Sequence, residues 1–373
     1  MTSKVPLVED ELISRVEAVR QSMADHEIDT VLLSVGHDLP YLTGYYAMPL
    51  ERLTMLVLPR NGQASLVVPA LEAPRVAPMP RIFDVVPWGE TTEPLDLVAD
   101  MCRHSSRIAV GDQTWGRFVI GLVQRLPSVE WRRAVDVIGP LRMRKTEHEI
   151  ASLAAAAKAV DDIAIALQSG EIPLVGRTEA EVSADLSARI LAAGHQKVNF
   201  AIVAAGENAA SPHHHPGERV IRSDEVVLCD FGGTMNGYCS DITRCVVTGT
   251  IAADLAAAYE VLMNAQEIGV QAGHIGESCE SVDAVTRQVI SDAGYGEFFI
   301  HRTGHGIGME EHEDPYIVDG DERVLEAGFA YSVEPGIYVP GKWGIRLEDI
   351  VVATDDGPRR LNNAPRALFS VLQ

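Results

Sequence analysis

The stretch VVLCDFGGTMNGYCSDITR, residues 226–244, decides the fold because it predicts a hairpin that carries two acids. The Asn-Gly pair at 236–237 is typical of a two-residue type I′ turn. This turn places Asp241 opposite Gly232, which shares a strand face with Asp230. The two carboxylates are then diagonal cross-strand neighbours within reach of one cation. Two buried like charges are costly unless a cation compensates them.

The stretch AYSVEPGIYVPGKWGIRLEDI, residues 330–350, repeats this arrangement. Glu334 and Glu348 are symmetric about Gly341, so a hairpin centred there brings them face to face. Two prolines inside the stretch make the strand pairing irregular. A single acidic residue is ordinarily a solvated surface charge. Four acids inside predicted apolar strands instead indicate a functional site, in which the carboxylates act together.

A neutral ligand is expected beside these acids, and HRTGHGIGMEEHEDP, residues 301–315, offers His305 and His312. His305 lies between two glycines, which allow close approach of backbone or substrate. The glycine pattern lacks the βαβ context of a dinucleotide-binding loop, and HEIAS at 148–152 lacks the second histidine of a zinc peptidase helix. One histidine with four carboxylates suits two divalent ions, manganese or cobalt rather than a structural zinc. Two such ions can hold a bridging hydroxide and polarise a substrate carbonyl, which indicates a hydrolytic reaction.

Three consecutive histidines stand in SPHHHPG, residues 211–217. The flanking prolines disfavour helix and favour extended backbone, in which neighbouring side chains point to opposite faces. The three imidazoles therefore cannot converge on one ion. We expect His214 and His215 to be solvated or to lie at the rim of a substrate site.

Residues 1–140 predict a small α/β domain. An apolar run at 30–35 predicts a buried strand, and runs at 54–59 and 64–69 predict a hairpin around the Asn-Gly pair at 61–62. The first predicted helix presents one apolar face, formed by Leu12, Val16, Val19 and Met23.

The remainder of the chain predicts an α+β domain with paired strands. Capping boxes at 146–149 and 178–181 each open a helix. Further helices are expected at 253–272 and 279–293. The expected strands are 198–204, 226–231, 238–248, 328–339 and 345–353.

Composition narrows the class of protein. The 373 residues carry 31 basic and 53 acidic side chains, a formal net charge of −22, which argues against nucleic-acid binding. No apolar run is long enough for a membrane helix, and the first residues do not resemble a secretory signal. The five cysteines form no CxxC motif, so we expect reduced thiols and a cytoplasmic protein.

The quoted stretches resemble the catalytic blocks of the pita-bread metallopeptidases, which include Xaa-Pro dipeptidase (prolidase) and aminopeptidase P. The resemblance covers nearly the whole chain, with YLTGYY and RLTMLVLP similar to the family's N-terminal domain. It implies an α+β pita-bread catalytic domain at 146–373, preceded by a smaller α/β creatinase-like domain at 1–140. It also implies a homodimer.

The resemblance assigns roles to eight residues. It implies that Asp230 binds one metal ion, that Asp241 and Glu348 bridge two ions, and that His305 and Glu334 bind the second. Glu334 would also accept the proton of the attacking water. His213, His312 and Arg346 would contact the substrate, the two histidines near the reacting group.

The implied reaction is attack of a metal-bridging hydroxide on the carbonyl that precedes proline, with Mn²⁺ or Co²⁺ favoured and Zn²⁺ possible. An Xaa-Pro dipeptide is the preferred substrate, and aminopeptidase P activity on longer peptides is the alternative. A same-fold non-peptide enzyme, such as a dimethylsulfoniopropionate lyase, stays open. A non-catalytic binding module is disfavoured because the ligand pattern is complete.

Overall fold

The structure is a computed structural model that describes residues 9–371. Contacts divide these residues into two compact units, 9–142 and 143–371. No helix within 9–371 combines the length and apolar character needed to cross a membrane.

The unit formed by residues 9–142 is built on one six-stranded mixed sheet. Its strands are β1 (Thr30–Leu33), β2 (Met55–Pro59), β3 (Ala64–Pro69), β4 (Phe83–Trp88), β5 (Arg107–Val110) and β6 (Glu130–Arg133). Its helices are α1 (Glu9–Asp25), α2 (Asp38–Thr43), α3 (Pro94–Cys102), α4 (Gly116–Arg125) and α5 (Val135–Met143), the last of which runs to the division. The strand order is β4-β3-β2-β1-β5-β6.

The apolar pattern of this first unit predicts its elements. Leu12, Val16, Val19 and Met23 are buried along one side of α1, as expected from their helical spacing. Strands β2 and β3 pair antiparallel, with Met55 opposite Val67, which confirms the hairpin around Gly62. The positive φ of Gly62, 99°, explains why glycine stands in this loop.

The unit formed by residues 143–371 combines four helices with two larger sheets and a hairpin. Its helices are α6 (Glu147–Gln168), α7 (Glu179–Ala192), α8 (Ala253–Ala272) and α9 (Cys279–Asp292). Its first strands are β7 (Lys197–Ala205), β8 (Val226–Met235), β9 (Tyr238–Cys239), β10 (Ile242–Val247), β11 (Gly304–Gly306) and β12 (Glu313–Ile317). The others are β13 (Ala330–Val333), β14 (Gly336–Val339), β15 (Trp343–Arg346), β16 (Asp349–Thr354), β17 (Gly357–Arg360) and β18 (Phe369–Ser370).

Neighbouring strands of this unit are mostly antiparallel. One sheet has the order β18-β10-β8-β7, with β9 paired to β8, and another has the order β12-β11-β13-β16-β17. Strands β14 and β15 form a separate hairpin. The structure thus confirms paired strands rather than a βαβ series.

Helices cover both faces of the sheet that contains β8. Cys229 and Phe231 pack in a buried cluster with residues of α6 and α7, whereas Leu228 packs in a second cluster with residues of α8. Asp230 shares the face of Leu228 because alternate residues of a strand point the same way. Cys229 is therefore a core residue and points away from the face of Asp230.

Both predicted capping boxes are present. The Thr146 side chain accepts a hydrogen bond from the backbone of Glu149, whose carboxylate accepts one from the backbone of Thr146. Thr178 and Glu181 make the same reciprocal pair at the start of α7. These caps satisfy backbone N–H groups that have no partner within the helix and so fix where α6 and α7 begin.

Candidate metal centre

The hairpin of β8 and β9 has the register that the Asn-Gly turn predicts. Met235 pairs with Tyr238, and the two intervening residues have φ values of 53° and 85°. The same register continues into β10, where Thr243 lies opposite Asp230. Asp241 is therefore opposite Gly232, two residues from Asp230. A Cβ on Gly232 would lie 2.1 Å from a backbone oxygen of the facing strand, so only glycine permits this close approach.

Glu334 and Glu348 lie where the chain leaves one ladder for another. Val333 pairs with Asp349 in the β13–β16 ladder, and Gly336 pairs with Arg346 in the β14–β15 hairpin. Both ladders keep the symmetry about residue 341, so the predicted register is confirmed. The backbone amide of Glu334 instead donates to Thr303, and that of Glu348 to Thr243. The two glutamates therefore lie where the β13–β16 ladder, the β14–β15 hairpin and strand β10 meet.

His305 enters the same region from β11. A Cβ on Gly304 would lie 1.8 Å from the Ser332 carbonyl oxygen, and one on Gly306 would lie 2.3 Å from that of Asp314. The glycines therefore allow the close backbone packing expected from the sequence. His305 Nδ1 donates to the Gly306 carbonyl at 3.0 Å, which leaves Nε2 free to face the acids.

The ligand atoms of Asp241, His305 and Glu348 all lie within 4.8 Å of one another, and the three residues are buried. His305 Nε2 is 3.3 Å from Glu334 Oε1. Among the described residues, Asp230 Oδ1, Asp241 Oδ1 and Glu348 Oε1 are buried oxygens without a hydrogen-bond partner. Buried carboxylate oxygens ordinarily have partners, so these three fit ligands of a divalent cation.

Burial and mutual repulsion shift the pKa values of this cluster. Burial, followed by the nearby Glu348 charge, raises the pKa of Asp241 well above its usual value. Burial, then Glu334 and Asp230, does the same to the pKa of Glu348. Burial raises the pKa of Glu334 to about 7. Burial, then His312, lowers the pKa of His305 well below its usual value and keeps its ring neutral.

Arg346 forms one wall of the cluster. Its guanidinium is buried, and it donates to Asp230 Oδ2 at 2.5 Å and to the Tyr338 hydroxyl at 2.8 Å. Its Nε donates to Thr243 Oγ1, which itself donates to Glu348 Oε2 at 2.7 Å. These contacts orient the carboxylates of Asp230 and Glu348.

Two further histidines, His301 and His312, lie beside the cluster, and His301 shares the Tyr338 hydroxyl with Arg346. His301 Nδ1 donates to the Arg302 carbonyl at 2.7 Å, so its Nε2 accepts from the Tyr338 hydroxyl at 2.8 Å. Burial, then Arg346, lowers the pKa of His301 to about 4. The ring centroid of His312 is 3.9 Å from that of His305. His312 is thus in position to contact a molecule bound at the cluster.

A cavity of about 480 Å³ opens onto these groups. All eight residues singled out from the sequence line it: His213, Asp230, Asp241, His305, His312, Glu334, Arg346 and Glu348. The sequence did not single out five further lining residues: Phe200, Ile202, His301, Arg302 and Glu311. Alternation along the predicted strand 198–204 could have indicated the first two, since Ile202 pairs with Asp230 and Phe200 with Gly232.

Comparisons with known proteins show the family to which this chain belongs. Residues 148–355 match the model of metallopeptidase family M24, and residues 15–144 match that of the creatinase/prolidase N-terminal domain. The chain belongs to metallopeptidase family M24. It is similar to the probable dipeptidase PepE of Mycobacterium tuberculosis, with 40% identity over 362 residues that cover 96% of each chain.

Two further relatives of this M24 enzyme cover almost its full length. The Xaa-Pro dipeptidase of Lactobacillus delbrueckii subsp. lactis is 33% identical over 365 residues, which cover 95% of this chain and 98% of the relative. The crystal structure of dipeptidase PepE from Mycobacterium ulcerans aligns with a TM-score of 0.91 at 39% identity, covering 98% and 99%. The chain is therefore a metallopeptidase, and the pita-bread fold with a creatinase-like N-terminal domain is confirmed.

The three consecutive histidines of the M24 enzyme have different surroundings. His213 lines the cavity, whereas His214 Nε2 lies 2.7 Å from Oε2 of the buried Glu179. His215 is exposed. The expectation that His214 is solvated or at the substrate rim is wrong. Its ring instead forms a hydrogen bond with the buried carboxylate of Glu179. No feature of the local sequence identifies that partner, which is 35 residues away.

Proposed function

We propose that this M24 metallopeptidase hydrolyses the peptide bond of Xaa-Pro dipeptides with the help of two divalent cations. Asp230 would bind one cation, Asp241 and Glu348 would bind both, and His305 and Glu334 would bind the second. The observation that carries the proposal is the set of buried carboxylate oxygens without hydrogen-bond partners beside a neutral histidine, all facing one cavity. Mn²⁺ or Co²⁺ suits this oxygen-rich set best, and Zn²⁺ is a third candidate.

The bound cations would polarise the scissile carbonyl and lower the pKa of the attacking water. The protein's own groups complete the chemistry. Glu334 is the proposed proton acceptor, because its carboxylate lines the cavity beside the neutral ring of His305. His213 and His312 line the cavity and would contact the oxygen on which negative charge develops. Arg346 would keep Asp230 and Glu348 oriented through the contacts described above.

The cavity also offers groups for the ends of a dipeptide. Phe200 and Ile202 provide an apolar wall beside Asp230, suited to a prolyl ring. Arg302 provides a cation that contacts the His312 ring and the face of Tyr316, whose ring centroid is 4.2 Å from its guanidinium carbon. A free carboxylate two bonds beyond the scissile amide is the natural partner for this cation. The names of the relatives, dipeptidase and Xaa-Pro dipeptidase, support the same substrate class.

Hydrolysis of matched peptides by metal-reconstituted protein tests the proposal. Protein stripped with a chelator and reloaded separately with Mn²⁺, Co²⁺ or Zn²⁺ should cleave Xaa-Pro dipeptides. It should cleave the same sequences extended by one residue more slowly. Faster cleavage of the extended peptides would transfer the proposal to aminopeptidase P activity. Cleavage of neither, with metal bound, would refute proline-specific hydrolysis and lead to non-peptide substrates such as dimethylsulfoniopropionate.

The proposal includes a homodimer in the cytoplasm. All five cysteines are buried and free, as expected in a reducing compartment. Light scattering coupled to size exclusion should give about twice the 40.4 kDa chain mass. A monomer peak at micromolar concentration would remove the dimer from the proposal without affecting the proposed chemistry.

A further inference from the structure

Glu179 is a fully buried acid that lies outside the candidate metal centre. It is the first residue of α7, directly after the capping Thr178. Burial of a carboxylate is costly unless hydrogen bonds replace its lost water. A helix N-terminus stabilises negative charge, which offsets part of that cost.

The loop that carries the three histidines supplies the hydrogen bonds to Glu179. The backbone amide of Ala205 donates to Oε1 at 2.9 Å, and Asn208 Nδ2 lies 3.1 and 3.2 Å from the two carboxylate oxygens. His214 Nε2 donates to Oε2 at 2.7 Å, and the amide of Gly217 lies 3.5 Å from the same atom. Within residues 9–371, no arginine or lysine nitrogen lies within 4.0 Å of this carboxylate. Its partners therefore come from the last residue of β7 and from three positions of the loop that follows it.

His213 is held between two anchored neighbours. The carbonyl of Pro212 accepts a hydrogen bond from Arg346 at 3.3 Å, and the ring of His214 is bound to Glu179. The amide of His214 donates to Ser211 at 3.2 Å and closes the turn between them. His213 itself is exposed to solvent, and its side chain lines the cavity between these two fixed neighbours.

We propose that Glu179 and His214 are positioning residues that hold the loop so that His213 faces the metal centre. This inference rests on the proposed function for its effect on turnover, because His213 would act on the substrate there. The first two histidines thus have different roles: His213 contacts the substrate, and His214 fixes the loop. Neither Glu179 nor His214 lines the cavity.

Three variants test the role of His214 in turnover. His214→Ala should lower kcat for an Xaa-Pro dipeptide about 10- to 100-fold, the cost of a misplaced catalytic group. Its metal content should stay at the wild-type level. His214→Gln should recover most of the loss, because its amide N–H can still donate to Glu179. His215→Ala, a change at the exposed neighbouring histidine, is the control and should match wild type.

A double-mutant cycle separates positioning from general destabilisation. In a His213→Ala background, adding His214→Ala should change kcat less than about two-fold, because coupled residues are non-additive. An equal loss in both backgrounds would overturn the proposal. So would a His214→Ala enzyme as active as His215→Ala.

Amide hydrogen exchange reports on the loop without requiring catalysis. In metal-loaded protein, residues 211–217 should exchange at least about ten-fold faster in His214→Ala than in His215→Ala. Equal exchange in the two variants would overturn the positioning role. If wild-type protein cleaves no Xaa-Pro dipeptide, the proposed function fails, while faster exchange in His214→Ala would still support the anchor.

Discussion

Nη2 of Arg346 lies 2.5 Å from Oδ2 of Asp230, while Oδ1 of the same carboxylate is buried without a hydrogen-bond partner among the described residues. Oδ2 therefore accepts a hydrogen bond from the protein, and Oδ1 remains available to bind a cation. A guanidinium suits this task because it is always charged and its N–H groups have a fixed geometry. Arg346 thereby links the metal centre to the Tyr338 hydroxyl and to the loop that contains Pro212.

We predict that Arg346→Lys lowers both metal affinity and kcat about 10- to 100-fold, the usual cost of losing a group that orients a metal ligand. A single ammonium cannot bridge Asp230, Tyr338 and Thr243 at once. Metal titration followed by calorimetry, together with steady-state hydrolysis, measures both effects. Arg359→Lys, at an exposed position, is the matched control. Wild-type metal affinity and kcat in Arg346→Lys would show that Asp230 needs no such partner.

Substitutions of Asp241 and His213 should separate metal binding from turnover. Asp241→Asn should lower bound metal below one equivalent per chain, because its carboxylate is expected to serve both ions. His213→Ala should keep the full metal content and lose about 100- to 1000-fold in kcat, the usual cost of losing one group that stabilises developing charge. Elemental analysis of dialysed protein and initial-rate kinetics give the two quantities. Metal loss in His213→Ala would place that histidine among the ligands.

The sequence predicts the carboxylate hairpins because their registers depend on local chemistry. An Asn-Gly pair specifies a tight turn, and the two-residue period of a strand then fixes which side chains meet. The sequence alone therefore places Asp230 and Asp241 as cross-strand neighbours. Glu334 and Glu348 follow the same symmetry, although the ladder between them is interrupted near Pro335.

Non-local partners could not be predicted in the same way. The contact of His214 with Glu179 depends on how α7 packs against a loop, and nothing in the SPHHHPG pattern records that packing. Arg302 lies within the stretch 301–315, but its place in the cavity depends on the ring of Tyr316 beneath it. Tertiary contacts of this kind are set by the whole fold rather than by local pattern.

Removal of the metal ions should reveal how much the buried carboxylate cluster lowers the stability of the folded protein. Because the pKa of Asp241 is raised on folding, folding takes up a proton there, and the stability of metal-free protein falls as pH rises past the unfolded pKa near 4. Metal-free Asp241→Asn should therefore have a higher Tm than metal-free wild type at pH 8. Saturating Mn²⁺ should reverse that order, since only wild type gains the full binding energy. Differential scanning calorimetry with and without metal decides between these results.

Acidification should destabilise the protein through His301. Burial lowers the pKa of this histidine from 6.5 to about 4, so the unfolded chain binds the proton more readily. The stability that neutral His301 contributes is complete above pH 6.5 and is lost as pH falls towards 4, by up to about 3 kcal/mol. Urea unfolding of metal-free wild type and His301→Gln across this range isolates the contribution. Parallel stability curves for the two proteins would contradict it.

Arg302 should determine the preference for a free carboxyl terminus. Within residues 9–371 no carboxylate oxygen lies within 4.0 Å of its guanidinium, although it lines a cavity rich in acids. Arg302→Gln should raise KM for an Xaa-Pro dipeptide about 10- to 100-fold, the range expected for a lost charge-assisted hydrogen bond of 1.5–3 kcal/mol. It should change KM for the corresponding Xaa-Pro amide less than about three-fold, because the amide carries no charge for Arg302 to bind. Arg302→Lys, which keeps the charge, should give an intermediate value. An equal rise in KM for acid and amide would show that Arg302 shapes the cavity through its packing on Tyr316 rather than binding the carboxylate.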